Sequence, residues 1–149
     1  MVTQDRAPSF WALARSYLSA ADALMEHERT DTFLPSVFLL CHALELGLKS
    51  YLLSVGATES QLRGIGHDLV KCLAEAEARG LSRHLRFSQA ERDDLNRINE
   101  YYERKELEYA SGTAKTFPSV EQLRATVDRA LTSIFNPLTE DVFREMAKK

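Results

Sequence analysis

The sequence predicts an all-α protein: an up-down antiparallel bundle of four main helices with an additional C-terminal helix. Three observations carry this expectation. Apolar residues recur at helical spacing in every long segment. Capping patterns, Ser or Thr followed three residues later by Glu or Gln, stand ahead of several of those segments. No segment alternates like a strand, and the connections are short, which favours antiparallel neighbours.

The first helix is expected over residues 10–28. Phe10, Leu13, Ala14, Tyr17, Leu18, Ala21, Leu24 and Met25 form one apolar stripe, and Trp11 sits beside it, placed to cover a bundle edge. Ser9 is placed as its N-cap, just after Pro8. Arg29-Thr30-Asp31-Thr32 breaks the chain, with Asp31 or Thr32 as the next cap.

The second helix, residues 33–56, is the central one. Leu34, Val37, Phe38, Cys41, Leu44, Leu48 and Leu52 recur at helical spacing, and Leu39, Leu40, Ala43, Leu46 and Leu53 fill the opposite side. A helix apolar nearly all round belongs inside a bundle. Its length could span a bilayer, but His42, Glu45 and Lys49 interrupt the run and argue for a buried helix without a membrane role. Those three residues stand at i, i+3 and i+7 and form one polar seam. Glu45 and Lys49 are an i, i+4 pair in the favourable order. The seam is either a satisfied ion pair or a polar groove that binds something. Pro35 is tolerated in the first turn, and Gly56 ends the helix.

Thr58 and Gln61 make a capping box for a short helical turn over residues 58–63, and Gly64-Ile65-Gly66 breaks it. The third helix starts at His67 or Asp68 and ends at Arg79, before Gly80. Leu69, Val70, Leu73, Ala74 and Ala76 supply its core side. Residues 81–87 are a connector carrying Arg83, His84 and Arg86. Ser88 and Glu91 cap the fourth helix, whose inner face is Leu95, Ile98, Tyr101 and Tyr102. Residues 104–109 either continue that helix or bend away. Residues 111–118 form a loop punctuated by Gly112 and Pro118. Ser119 and Gln122 are a third capping box. The fifth helix carries Val120, Leu123, Val127, Leu131, Ile134 and Phe135; Asn136-Pro137 is expected to stop it, with a last short helix over residues 140–146.

Length and composition fit this plan. The chain has 149 residues, which suggests a single domain over residues 1–149. Hydrophobic residues make up 44%, enough for a real core, and the net charge of −3 gives no overall field that draws the protein to nucleic acid. Any such binding needs a local patch. The polar N-terminus lacks the apolar stretch of a signal peptide, so a cytoplasmic location is expected. Cys41 and Cys72 are expected as two reduced, buried thiols. No Cys or His pair has metal-ligand spacing, and no cofactor motif stands out: Gly64-Ile65-Gly66 is too short for a phosphate loop and lacks its lysine.

The central helix, with His42-Ala43-Leu44-Glu45-Leu46 and Lys49, followed by Gly66-His67-Asp68-Leu69, resembles the HEPN domains. These are small helical bundles linked to RNA cleavage, nucleotide binding, and toxin and defence systems. Ala78-Arg79-Gly80-Leu81 and a fourth helix ending in tyrosines extend the resemblance over residues 10–109. It implies a homodimer, a partner protein such as an antitoxin, and an RNA or nucleotide ligand. Many HEPN members look like metal-independent ribonucleases, with an arginine followed four to six residues later by a histidine. Histidine moves the proton of the attacking 2′-hydroxyl, and arginine stabilises the phosphorane. Arg79 and His84, with four residues between, match that signature literally. Gly80 separates them, and the fourth helix, where the family's motif is expected, has Arg92, Arg97 and Arg104 but no histidine.

Three further constellations are candidates for binding. Arg79, Arg83, His84 and Arg86 form a basic cluster that Arg63 and Lys71 could join; it is either a phosphate contact or a solvated connector. His67 and Asp68 are either an acid–base pair with Glu45 or a helix-start device, with Asp68 on the dipole and His67 on a nearby backbone group. Tyr101, Tyr102 and Tyr109, with Arg104 and Lys105, offer stacking beside positive charge, or a core rim or protein interface. The leading expectation is a non-catalytic HEPN-like module that binds RNA, nucleotide or protein in a toxin–antitoxin, defence or stress setting. The alternatives are a dimeric ribonuclease using Arg79 and His84, and a dimerisation scaffold.

Overall fold

A computed structural model describes residues 6–27, 30–107 and 116–148. It is all-helical among those residues, in the order α1 (Ala7–Met25), α2 (Phe33–Ser54), α3 (Glu59–Ile65), α4 (Leu69–Ala78), α5 (Gln89–Glu103) and α6 (Val120–Ala147). Short 3₁₀ turns at Thr30–Thr32 and Leu81–Arg83 join α1 to α2 and α4 to α5.

α2 is the core helix. It packs most extensively against α1, then against α6 and α4. Val37, Leu40, Cys41, Leu44, Leu48, Leu52 and Leu53 are all buried. Its length and apolar composition would suffice to cross a membrane, but most of it is covered by the rest of the fold, as in the core helix of a soluble protein. Of the expected core residues of these two helices, Leu34, near the start of α2, and Val70 and Ala74 on α4 are exposed.

α1 meets α2 through small residues. Ala7, Ala14, Leu18 and Ala21 are buried, whereas Leu13 of the expected stripe is exposed. The helix begins earlier than expected. Pro8 occupies its first turn, where a missing N–H costs nothing, so Ser9 lies inside the helix instead of capping it. Trp11 does cover an edge: its indole donates to the Leu131 carbonyl at 2.9 Å and its ring tilts against Phe135. Arg124 grips Asp22 with two hydrogen bonds, and Arg15 reaches Asp128, so α1 and α6 are tied at several levels. Phe135 itself is exposed.

Two of the three expected capping boxes are complete, and Ser119 supplies one bond of the third. Thr58 with Gln61 and Ser88 with Glu91 each make both reciprocal bonds. Ser119 accepts from the Gln122 amide at 3.3 Å, and its hydroxyl donates to Glu121. Gly56, Gly66 and Gly80 take positive φ and end α2, α3 and α4. Cys41 and Cys72 are buried, and burial pushes both thiols up, Cys72 to about 12.

One boundary is overturned. Asn136-Pro137 does not stop the fifth helix, because α6 runs through Pro137. An internal proline removes a donor and costs about 3 kcal/mol. Here Ile134 and Leu138, buried on either side, hold both halves to the core, and the Thr139 hydroxyl donates to the Asn136 carbonyl at 2.8 Å. After α5 the chain turns at Arg104, with Lys105 at φ 59°, so the segment bends away from the helix. Glu28, Tyr109 and residues 111–115 of the expected loop lie outside the described residues.

Candidate functional site

The polar seam of α2 is the centre of a hydrogen-bonded network. Glu45 has its side chain only 3% exposed. Lys49, one turn later, donates to Glu45 Oε1 at 2.7 Å and to the Gly66 carbonyl at 2.7 Å. His67 Nδ1 lies 3.1 and 3.2 Å from the two Glu45 oxygens. The Tyr102 hydroxyl donates to Glu45 Oε2, and His42 Nδ1 lies 3.1 Å from that hydroxyl. His42 is held between Tyr17, edge-on at 4.5 Å, and the stacked ring of Phe38 at 5.8 Å. Burial alone would raise the Glu45 carboxyl, but the hydrogen bonds with His42, Lys49, Tyr102 and His67 outweigh it and hold the group near 2.

The loop between α3 and α4 brings His67 to this carboxylate. Gly66 supplies a positive φ of 63° that a side chain would resist, and its carbonyl receives Lys49. Asp68 then caps α4, accepting from the Lys71 amide at 2.9 Å. Asn99 of α5 braces the same turn, accepting from the Leu69 amide at 2.8 Å and donating to Asp68 at 3.0 Å. Asp68 is thus the helix-start device expected of it. His67 is not, since its partner is the buried carboxylate and not a backbone group.

His67 faces outward as well. Its side chain is 48% exposed and lines a cleft of about 360 Å³ with Arg6, Phe10, Lys49, Glu59, Leu62, Arg63 and Gly66. Arg6 pairs with Glu59 and lies over the Phe10 ring. Arg63 is exposed and makes no hydrogen bond or ion pair among the described residues. With Arg6 paired to Glu59 and Lys49 to Glu45, Arg63 is the cation left to an anionic ligand among the described lining residues, beside the ring of Phe10.

The other candidates are placed elsewhere. Arg79 lines a second cleft of about 230 Å³ with Gln61, Lys71 and Glu75. His84 is exposed at the end of the 3₁₀ turn, its ring 6.3 Å from Tyr51, and it does not line that cleft. Tyr51 also donates to the Arg79 carbonyl at 3.0 Å, so Arg79 and His84 share a neighbour. Arg83 and Arg86 are exposed on the connector, where Arg86 bonds the Ser82 carbonyl. Tyr102 is consumed by the Glu45 network, and Tyr101 packs at 5.3 Å on Phe117 as rim. Arg104 is exposed at the end of α5.

Sequence reasoning missed Arg6, Phe10 and Asn99. Arg6 and Phe10 belong to a segment with no local signal of an approach to α3, and Asn99 looks like one polar residue among many on a charged helix. Among the described residues, no cluster of three or more His, Cys, Asp or Glu side chains could hold a metal ion. No family model, curated protein or solved structure matches this chain.

Proposed function

We propose that this chain is a HEPN-like helical domain, folded as an up-down bundle, that works as a non-catalytic binding module for a phosphate-bearing ligand, a nucleotide or RNA. One observation carries the reading: Arg63, His67, Lys49 and Phe10 line a single cleft, and Arg63 makes no hydrogen bond or ion pair among the described residues. Arginine is the side chain best shaped for phosphate, and an aromatic wall suits a base or sugar. The expectations of a cytoplasmic homodimer, and of a partner protein in a toxin–antitoxin, defence or stress setting, come with the resemblance and are part of the proposal. A catalytic role for Arg79 and His84 has less support, since His84 does not line the cleft of about 230 Å³ that Arg79 lines.

The test is titration of a fluorescently labelled short RNA and of a labelled mononucleotide, at fixed salt, against wild type and Arg63→Glu. The expected result is saturable binding that falls tenfold or more in the variant. Binding unaffected by the substitution, or no binding to either probe, refutes the reading.

A further inference from the structure

We infer that the cleft at His67 is a proton-linked subsite for a phosphomonoester dianion, with His67 bridging the buried Glu45 carboxylate and the bound phosphate. The inference rests on the reading of the cleft as a phosphate site and narrows it from phosphate in general to a terminal phosphate.

Arg6 is neutralised by Glu59, and Lys49 by Glu45. Among the described residues that line the cleft, Arg63 is the one left uncompensated, with one positive charge. A phosphodiester carries one negative charge and is balanced by that arginine. A phosphomonoester carries close to two at pH 7.5, because its second ionisation falls near pH 6. Among the described residues of the cleft, the group able to supply the second charge is His67.

Its setting favours that role. With Nδ1 within 3.2 Å of both Glu45 oxygens, the ring donates its Nδ1 proton inward. Nε2 is then the nitrogen left for the cleft. In the neutral ring Nε2 is an acceptor and repels an anion. Once protonated it becomes a donor, and Glu45 stabilises the imidazolium from behind. The other groups around His67 are accounted for. On α2, Lys49 is engaged by Glu45 and the Gly66 carbonyl. On α5, the Tyr102 hydroxyl donates to Glu45 and relays to His42. On α3 and the start of α1, Glu59 and Arg6 pair with one another. Asp68, next in the chain, is occupied by the Lys71 amide and Asn99. A dianion arriving beside Arg63 therefore draws a proton onto His67, and the site selects for the ligand that requires it.

The experiment is calorimetric titration at pH 7.5 in two phosphate-free buffers of different ionisation enthalpy. The probes are inorganic phosphate, adenosine monophosphate, and one short RNA in 5′-phosphate and 5′-hydroxyl forms. The expected result is at least tenfold tighter binding of the phosphorylated RNA than of its hydroxyl form, with net proton uptake on binding. His67→Gln abolishes the uptake and most of the preference, whereas Arg63→Glu weakens both RNAs. Binding of the monophosphate as tightly as the phosphorylated RNA identifies a free nucleotide as a sufficient ligand; binding of that RNA alone identifies an RNA end. Equal affinity for the two RNAs, or binding without proton uptake, overturns this inference and leaves the phosphate reading standing. Failure of every probe to bind overturns both.

Discussion

Glu45 is the residue on which the interior depends. Its carboxyl is held near 2 against an ordinary value of 4.5, so the folded state binds its proton more weakly than the unfolded chain does. The resulting stability is fully present above about pH 4.5 and drains away as the pH falls toward 2. A shift of that size corresponds to about 3 kcal/mol. Glu45→Gln removes the charge and leaves Lys49, only 11% exposed, without its anion. It is expected to cost about 3 kcal/mol at pH 7, read by urea unfolding. The variant should also lose less stability than wild type between pH 5 and pH 3. Parallel losses in the two proteins would mean that the carboxylate is not what the network holds. Three of the five side chains of this network are legible in the sequence, because His42, Glu45 and Lys49 share one helical face by spacing alone. His67 and Tyr102 come from 22 and 57 residues away, and no local pattern aims them at the same oxygen pair.

At the scale of the elements, α2 and α6 meet at Gly47. A Cβ there would run into the side chain of Leu131, which is fully buried. Glycine in a helix interior costs about 1 kcal/mol relative to alanine, so its presence mid-helix answers a packing need. Gly47→Val is expected to destabilise the protein by about 2 kcal/mol through overpacking, measured as a drop in melting temperature. A variant as stable as wild type would show that the crossing is looser than described. Most helices were readable because caps and periodicity agree: Thr58, Ser88 and Asp68 each begin the helix they were expected to begin. Pro137 was misread because local chemistry opposes a helix there, while Ile134 and Leu138, buried on either side, favour one. The exposed Leu13 has a similar cause. Periodicity shows which residues share a face, but the close approach of α1 through Ala14 and Ala21 fixes which part of that face is covered.

At the scale of the whole molecule, the cleft exists only because the start of α1 lies beside α3. Arg6 and Arg63 are far apart in the chain, and Arg6 belongs to a stretch whose sequence resembles a polar tail. That is why the basic cluster of Arg79, Arg83 and Arg86 stood out in the sequence while the convergent set did not: sequence proximity gathered the first and folding gathered the second. The most direct test of the account is a ¹H–¹⁵N correlation spectrum of the full chain titrated with a 5′-phosphorylated short RNA. The account predicts progressive shifts concentrated at the amides of Arg6, Lys49, Arg63, Gly66 and His67. Shifts centred on Arg79, Arg83 and Arg86, or a spectrum that does not move, would contradict it.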